Sequence, residues 1–276
     1  MQTILRNVMA AMLATVAVLR TGWPQSPAPE LRLSDIRAQH PAESIYASYP
    51  CQRAREVPQG NMEHFPVYPK TFVPDLKSLL ERSDEVILAA QIDGFTAISP
   101  DGKSTATYQE VRVIHSWKGP HPAGSILTVG EPGGLVECSP NRGESLFSAV
   151  PKGKFLNGLA KEYAVQVLFL RHAQGEETQL VQGLLPAGGR GLQGRFDIYV
   201  PHNPSAADRR CWGVLEGTGS IQDCYSYLRS LTSPVMILYG FDPLAAKYYG
   251  KPASGFIEEI EAEADSQESA QKPLLQ

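Results

Sequence analysis

S-D-E-V-I-L-A-A-Q-I (83–92) opens a stretch, 83–200, whose apolar runs recur as strand candidates. Y-Q-E-V-R-V-I-H-S-W-K-G (108–119), S-I-L-T-V (125–129), G-G-L-V-E-C (133–138), K-E-Y-A-V-Q-V-L-F-L (161–170) and G-R-F-D-I-Y-V (194–200) follow it. The first is a nearly continuous apolar strand, and Asp101-Gly102 before the next marks a hairpin tip. In the second, Val111 and Val113 share a face, with Tyr108, Arg112 and Ile114 on the other. Tyr163, Val165, Val167 and Phe169 alternate again, as do Phe196, Ile198 and Val200. Strand candidates separated by turns, with no helical period between them, predict a small five-stranded antiparallel barrel. With helices on either side, the fold class is mainly β with flanking helices, α+β.

The 276 residues are 42% apolar, enough to bury a real core. A net charge of −4 and a pI near 5.9 leave no basic excess to draw the chain to nucleic acid or anionic lipid. The N-terminus has the layout of an export signal: Arg6, an apolar run over 8–19, then a polar, Pro-rich stretch over 20–29. Residues 1–22 therefore read as a signal peptide or an uncleaved signal anchor, and the chain as secreted or periplasmic. No later run approaches transmembrane length. Four cysteines, Cys51, Cys138, Cys211 and Cys224, suit an oxidising compartment and allow two disulfides by three connectivities. None forms the close C-x-x-C pairs of a zinc site.

Residues 23–70 read as an extended Pro-rich segment with one short helix near 31–38, anchored at Cys51. A helix is expected over 74–82, with Leu76, Leu79 and Leu80 on one face. The barrel spans 71–200. After a polar loop over 201–210, Ser220 caps a helix carrying Ile221, Cys224, Tyr225 and Leu228. Ser254 caps another with Phe256, Ile257 and Ile260, so 201–264 forms a helical extension packed on the barrel. Glu258, Glu259, Glu261, Glu263, Asp265 and Glu268 make an acidic face running into a disordered tail, 265–276.

The order S-D-x-V, Y-x-x-x-V-x-x-x-W-K-G, a G-G turn, a cysteine and a K-E-Y strand resembles the OB-like barrel of tissue inhibitors of metalloproteinases and netrin-type modules. It is more similar still to exported bacterial proteins that share that barrel. In the family an N-terminal cysteine is tied to one shortly before the K/R-x-Y strand, so the resemblance implies a Cys51–Cys138 bridge. The remaining pair, Cys211–Cys224, would then close a loop across Gly217-Thr218-Gly219 onto the following helix. In the animal inhibitors the mature chain begins with the zinc-chelating cysteine. Cys51 lies inside this chain, which disfavours metalloproteinase inhibition by that mechanism. The Gly- and Ser-rich insertion over 139–159 lengthens a loop where a partner surface can sit.

Gly189-Arg190-Gly191-Leu192-Gln193-Gly194 spells G-x-G-x-x-G but leads into a strand, whereas phosphate binding needs a helix N-terminus. It reads instead as a glycine-rich loop or bulge between barrel strands, and no cofactor is expected. Gly143-Glu144-Ser145-Leu146-Phe147 lacks the last glycine of a nucleophile elbow. No two of the six histidines have zincin spacing. His115 is expected on the Val111 and Val113 face; paired with His121 it lacks a third metal ligand, and no metal site is expected. Trp117, Lys118, Trp212, Arg209 and Arg210 are candidate recognition residues, because Trp and Arg are enriched at binding hot spots. For packing, Trp117 is expected to close one end of the barrel and Trp212 to lie against the nearby disulfide. The reading that follows is an exported, disulfide-bonded, non-enzymatic binding or scaffold module. Its barrel-rim loops would engage a protein or polysaccharide of the cell envelope. The alternatives are an exported hydrolase pairing His115 or His202 with Asp197 or Asp208, and the disfavoured metalloproteinase inhibitor.

Overall fold

A strand apolar on both faces must be covered on both, and β1, Glu85–Ile98, is. Ile87 and Ala89 belong to one buried cluster, while Val86, Leu88 and Ala90 belong to another. The computed structural model describes residues 32–39, 73–98, 105–132, 136–137, 145–146, 165–172, 189–200, 209–232, 235–236 and 243–271. β2 (Thr105–Lys118), β3 (Ile126–Pro132), β6 (Val165–His172) and β7 (Arg190–Ile198) complete the long strands. β4 (Val136–Glu137), just before the expected insertion, and β5 (Ser145–Leu146), inside it, form a separate two-stranded ribbon.

The main sheet runs β3-β2-β1-β6-β7-β8, β8 being Val235–Met236. A further pairing joins β3 to β7, so five strands form a ring of pairings, β1–β2–β3–β7–β6. The expected all-antiparallel arrangement is corrected here: β3 and β7 run parallel, matching Val129 to Arg190 and Gly130 to Gly191. Period-two patterning shows which face a residue takes, and leaves the direction of a closing partner open. β8 was not foreseen, since two residues are too few to show a period.

Inside the ring lie Ile87, Ala89, Val111, Val113, Leu127, Val129, Leu168 and Leu170, all buried, with Leu192 against them. Outside it, the second face of β1, β6 and β7 is covered by helices. α2 (Leu76–Arg82) is capped by Asp75, whose carboxylate accepts from the Ser78 N–H and is held below the ordinary aspartate value by that bond. α3 (Arg209–Leu215), α4 (Ile221–Ser230), α5 (Pro243–Tyr248) and α6 (Ala253–Gln271) share its core cluster. Ser220 caps α4 as expected, accepting from the Asp223 N–H. α1 (Leu33–Gln39) packs Leu33 and Ile36 on Phe95, Ala97, Ala106 and Tyr108 at the far end of the β1–β2 hairpin.

Three expectations change. α3 begins inside the stretch read as a polar loop, at Arg209. α6 starts one residue before Ser254, which lies in its first turn with its N–H on the Leu231 carbonyl. The same helix continues to Gln271, so the tail expected from 265 is helical that far; its Ala-, Glu- and Gln-rich sequence has high helix propensity. Among the described residues no helix is long and apolar enough to cross a membrane.

Cys211 and Cys224 are joined, tying α3 to α4 across the Gly217 turn. Cys51, Cys138 and their implied bridge lie outside the described residues. Replacing Cys211 and Cys224 together by alanine is expected to lower stability by about 3 kcal/mol, the chain-entropy value for a loop of this size. The urea midpoint of the double variant against the parent measures it.

Candidate functional site

The polar residues of the strand ring collect at its two ends. At one end stands Glu85, the first residue of β1, on the same side of the strand as Ile87 and Ala89 and with its carboxylate fully buried. His121 Nδ1 lies 2.8 Å from its Oε2, and His172 Nε2 and Arg190 Nε lie 2.7 and 2.9 Å from its Oε1. Arg190 Nη2 also meets His121 Nε2 at 3.0 Å. A guanidinium only donates, so Nε2 of His121 accepts and Nδ1 carries the proton that Glu85 receives. His172 is held from behind as well, its backbone N–H donating to Asp84 at 2.8 Å.

Local sequence makes room for this cluster. Gly119, with φ +107°, turns the chain after β2 toward His121, and a Cβ there would lie 2.6 Å from Glu85 Cγ. The glycine of W-K-G is thus required twice, by conformation and by space. At the opposite end Arg195 donates to Asp197 at 2.7 Å and to Glu131 at 3.1 Å. Asp197 is entirely buried, with the Gln166 side chain beside it.

Burial raises the Asp197 carboxyl to about 6 against the pull of Arg195. Between pH 3.8, its ordinary value, and about 6, the folded protein keeps a proton that the unfolded chain has released. Stability therefore falls as pH rises through that window. At about 1.4 kcal/mol per pH unit the loss is on the order of 3 kcal/mol. Asp197→Asn is expected to flatten this slope in urea midpoints taken from pH 3.5 to 7.

A cleft of about 430 Å³ lies on the outside of the ring, walled by the end of β2, by Leu80 of α2 and by the second half of α6. His115, Ser116, Trp117 and Lys118 line one side, and Glu261, Ala264, Asp265 and Gln267 the other. His115 stacks on Tyr225 of α4 at 4.1 Å between ring centroids and meets Trp117 edge-on at 5.2 Å. The Tyr225 hydroxyl donates to Glu261, whose other oxygen is 3.1 Å from Arg229. Lys118 Nζ donates to the Leu80 carbonyl at 2.9 Å. Burial and the nearby Arg229 hold His115 below the ordinary histidine value, against Glu261.

His115 reaches this cleft through an irregularity. Leu88 pairs with His115 but Ala89 pairs with Val113, so Ile114 is an extra residue on β2. The bulge reverses the alternation, and His115 leaves the face shared by Val111 and Val113 on which period two had put it. Trp117 likewise packs outside the ring, in place of the expected plug at its end. Trp212 is buried in the same core cluster as Cys211 and Cys224, Arg209 opens α3, and Arg210 is exposed. Of the hydrolase pairs, His115 and Asp197 fall in separate clusters, with Tyr225 and Arg195 respectively; His202 and Asp208 lie outside the described residues. From Arg190 on, the G-x-G-x-x-G segment lies in strand β7, and of the expected loop or bulge it is the bulge: Phe169 pairs with Gly194 but Leu170 with Leu192, leaving Gln193 extra. The segment's last glycine, Gly194, lies under α2, where an added Cβ would come within 2.8 Å of Leu79 Cδ2 and push that side chain aside.

No family model, curated protein or solved structure matches the chain. Among the described residues no group of three His, Cys, Asp or Glu side chains is arranged to hold a metal ion. Glu85, His121, His172 and Arg190 were not picked out as a site from sequence. The available signal was parity: Glu85 continues the Ile87 and Ala89 face, and His172 the Leu168 and Leu170 face, each as a polar residue at the end of an inward series.

Proposed function

We propose that this chain is an exported, non-enzymatic binding module on an OB-type barrel, and that it engages its ligand in the cleft between β2 and α6. The ring order supports the barrel: numbering the five long strands in sequence, the pairings run 1-2-3-5-4-1 with strands 3 and 5 parallel. The observation that carries the function is that side chains fill the ring, an apolar middle between two polar ends whose charged groups bind one another. Chemistry-bearing residues are thereby committed to structure inside, and recognition is left to the outside. Trp117 and Lys118, two residues marked for recognition by type, both line the cleft. The cleft is taken as the principal contact, beside the rim loops proposed from sequence.

Crosslinking the full chain in its native envelope, with a photoreactive group at Lys118, tests the reading. A specific adduct lost on unlabelled competition supports it. Absence of any adduct, together with turnover of generic ester, peptide or glycoside substrates, would overturn it in favour of a hydrolase.

A further inference from the structure

We propose that the β2–α6 cleft is a saccharide site, taking one short stretch of an uncharged glycan chain. This rests on the binding-module reading and adds the ligand class. The volume of about 430 Å³ is in the range of small-ligand sites. Its charges are balanced: Glu261 is already met by Arg229 and Tyr225, and Lys118 faces the cleft together with Asp265. Neither a strongly cationic nor a strongly anionic ligand is favoured by such a lining. The apolar part is confined to Leu80, Trp117 and Ala264, too little to desolvate the aliphatic or aromatic anchors on which peptide recognition depends.

What the cleft does offer is an aromatic ring beside hydrogen-bonding groups that nothing else uses. The Asp265 carboxylate and both ring nitrogens of His115 have no hydrogen-bond partner among the described residues, and both side chains line the cleft. Neutral imidazole donates through one nitrogen and accepts through the other, and burial holds His115 in that form. A sugar hydroxyl also donates and accepts at once, so it satisfies imidazole and carboxylate together. Trp117 is fixed by its edge contact with His115, itself stacked on Tyr225. That row holds Trp117 rigid, and its ring, which lines the cleft, presents apolar surface for the C–H face of a pyranose at little ordering cost.

The test is intrinsic fluorescence and calorimetry on the full chain with chitotriose and cellotriose, backed by a glycan array. Saturable binding is expected for at least one glycan, weakened tenfold or more by Asp265→Asn. A hydrogen bond to a charged group supports a loss of that size, about 1.5–3 kcal/mol. Trp117→Ala is expected to abolish binding, and Trp117→Phe, which keeps an aromatic ring, to restore part of it if the alanine variant folds poorly. Asp265 is exposed, so its substitution leaves the melting temperature unchanged and reports on binding alone. No binding on the array or in solution, or binding that Asp265→Asn and Trp117→Phe leave untouched, overturns the saccharide site. If a Lys118 crosslink then captures a protein, the binding module stands and only the ligand class fails; if it captures nothing, both fail.

Discussion

Glu85→Ala is expected to destabilise the protein by about 3–5 kcal/mol, the cost of removing one partner from a buried ion pair. The native carboxylate is enclosed, and Arg190 and two histidines all point at it. Alanine leaves the Arg190 guanidinium buried beside His121 with its carboxylate gone. Much of the loss is therefore the penalty on the groups left behind, rather than the net worth of the network. Glu85→Gln is the informative companion, because it keeps the shape while bringing an amide donor toward Arg190. It is expected to fall between the parent and alanine in urea denaturation. A loss below 1 kcal/mol for alanine would mean that the cluster is solvated and contributes little. Typical domains have about 5–15 kcal/mol in all, so the expected change is a large share of the total.

Phe256→Ala is expected to cost a similar amount, about 3–5 kcal/mol, by leaving a cavity that its surroundings fill only in part. Phe256 is buried in the first turns of α6, 4.6 Å from the Phe196 ring of β7 and 4.7 Å from that of Tyr248 on α5. These rings hold α6 against the strands. The same helix carries Glu261 and Asp265, about one and a half and two and a half turns further along, into the cleft wall. The substitution therefore reads out twice: as a lower urea midpoint, and as weaker ligand binding at temperatures where the protein is still folded. Loss of stability with binding intact would show that the wall is held by α2 and α4 alone.

Much of this arrangement is legible in the sequence. The continuous apolar run after Glu85 marked a strand, and Ser220 marked the start of α4. Leu76, Leu79 and Leu80 are one buried face of α2. What escaped follows from two physical causes. Period-two reasoning carries a face assignment along a strand only while the ladder is regular, so the extra Ile114 silently misplaced His115. Long-range partners leave no local trace: Glu85 meets Arg190 across most of the ring's sequence, and Asp265 meets the Trp117 side of the cleft only once α6 has docked. Short elements such as β8 and α5 hold through their neighbours and not through their own pattern.

The parallel seam between β3 and β7 rests on two residue pairs, whereas β1 and β2 match along most of their length. Arg190 belongs to that seam; its side chain grips Glu85 on β1, beyond β6, and meets His121 in the connection that leads into β3. Through His121 that side chain works as a latch across the least hydrogen-bonded part of the circle. Transient opening should begin there, exposing the amides of Val129 and Gly130 to exchange before those of β1, and the protein's slow breathing would be governed by one buried arginine.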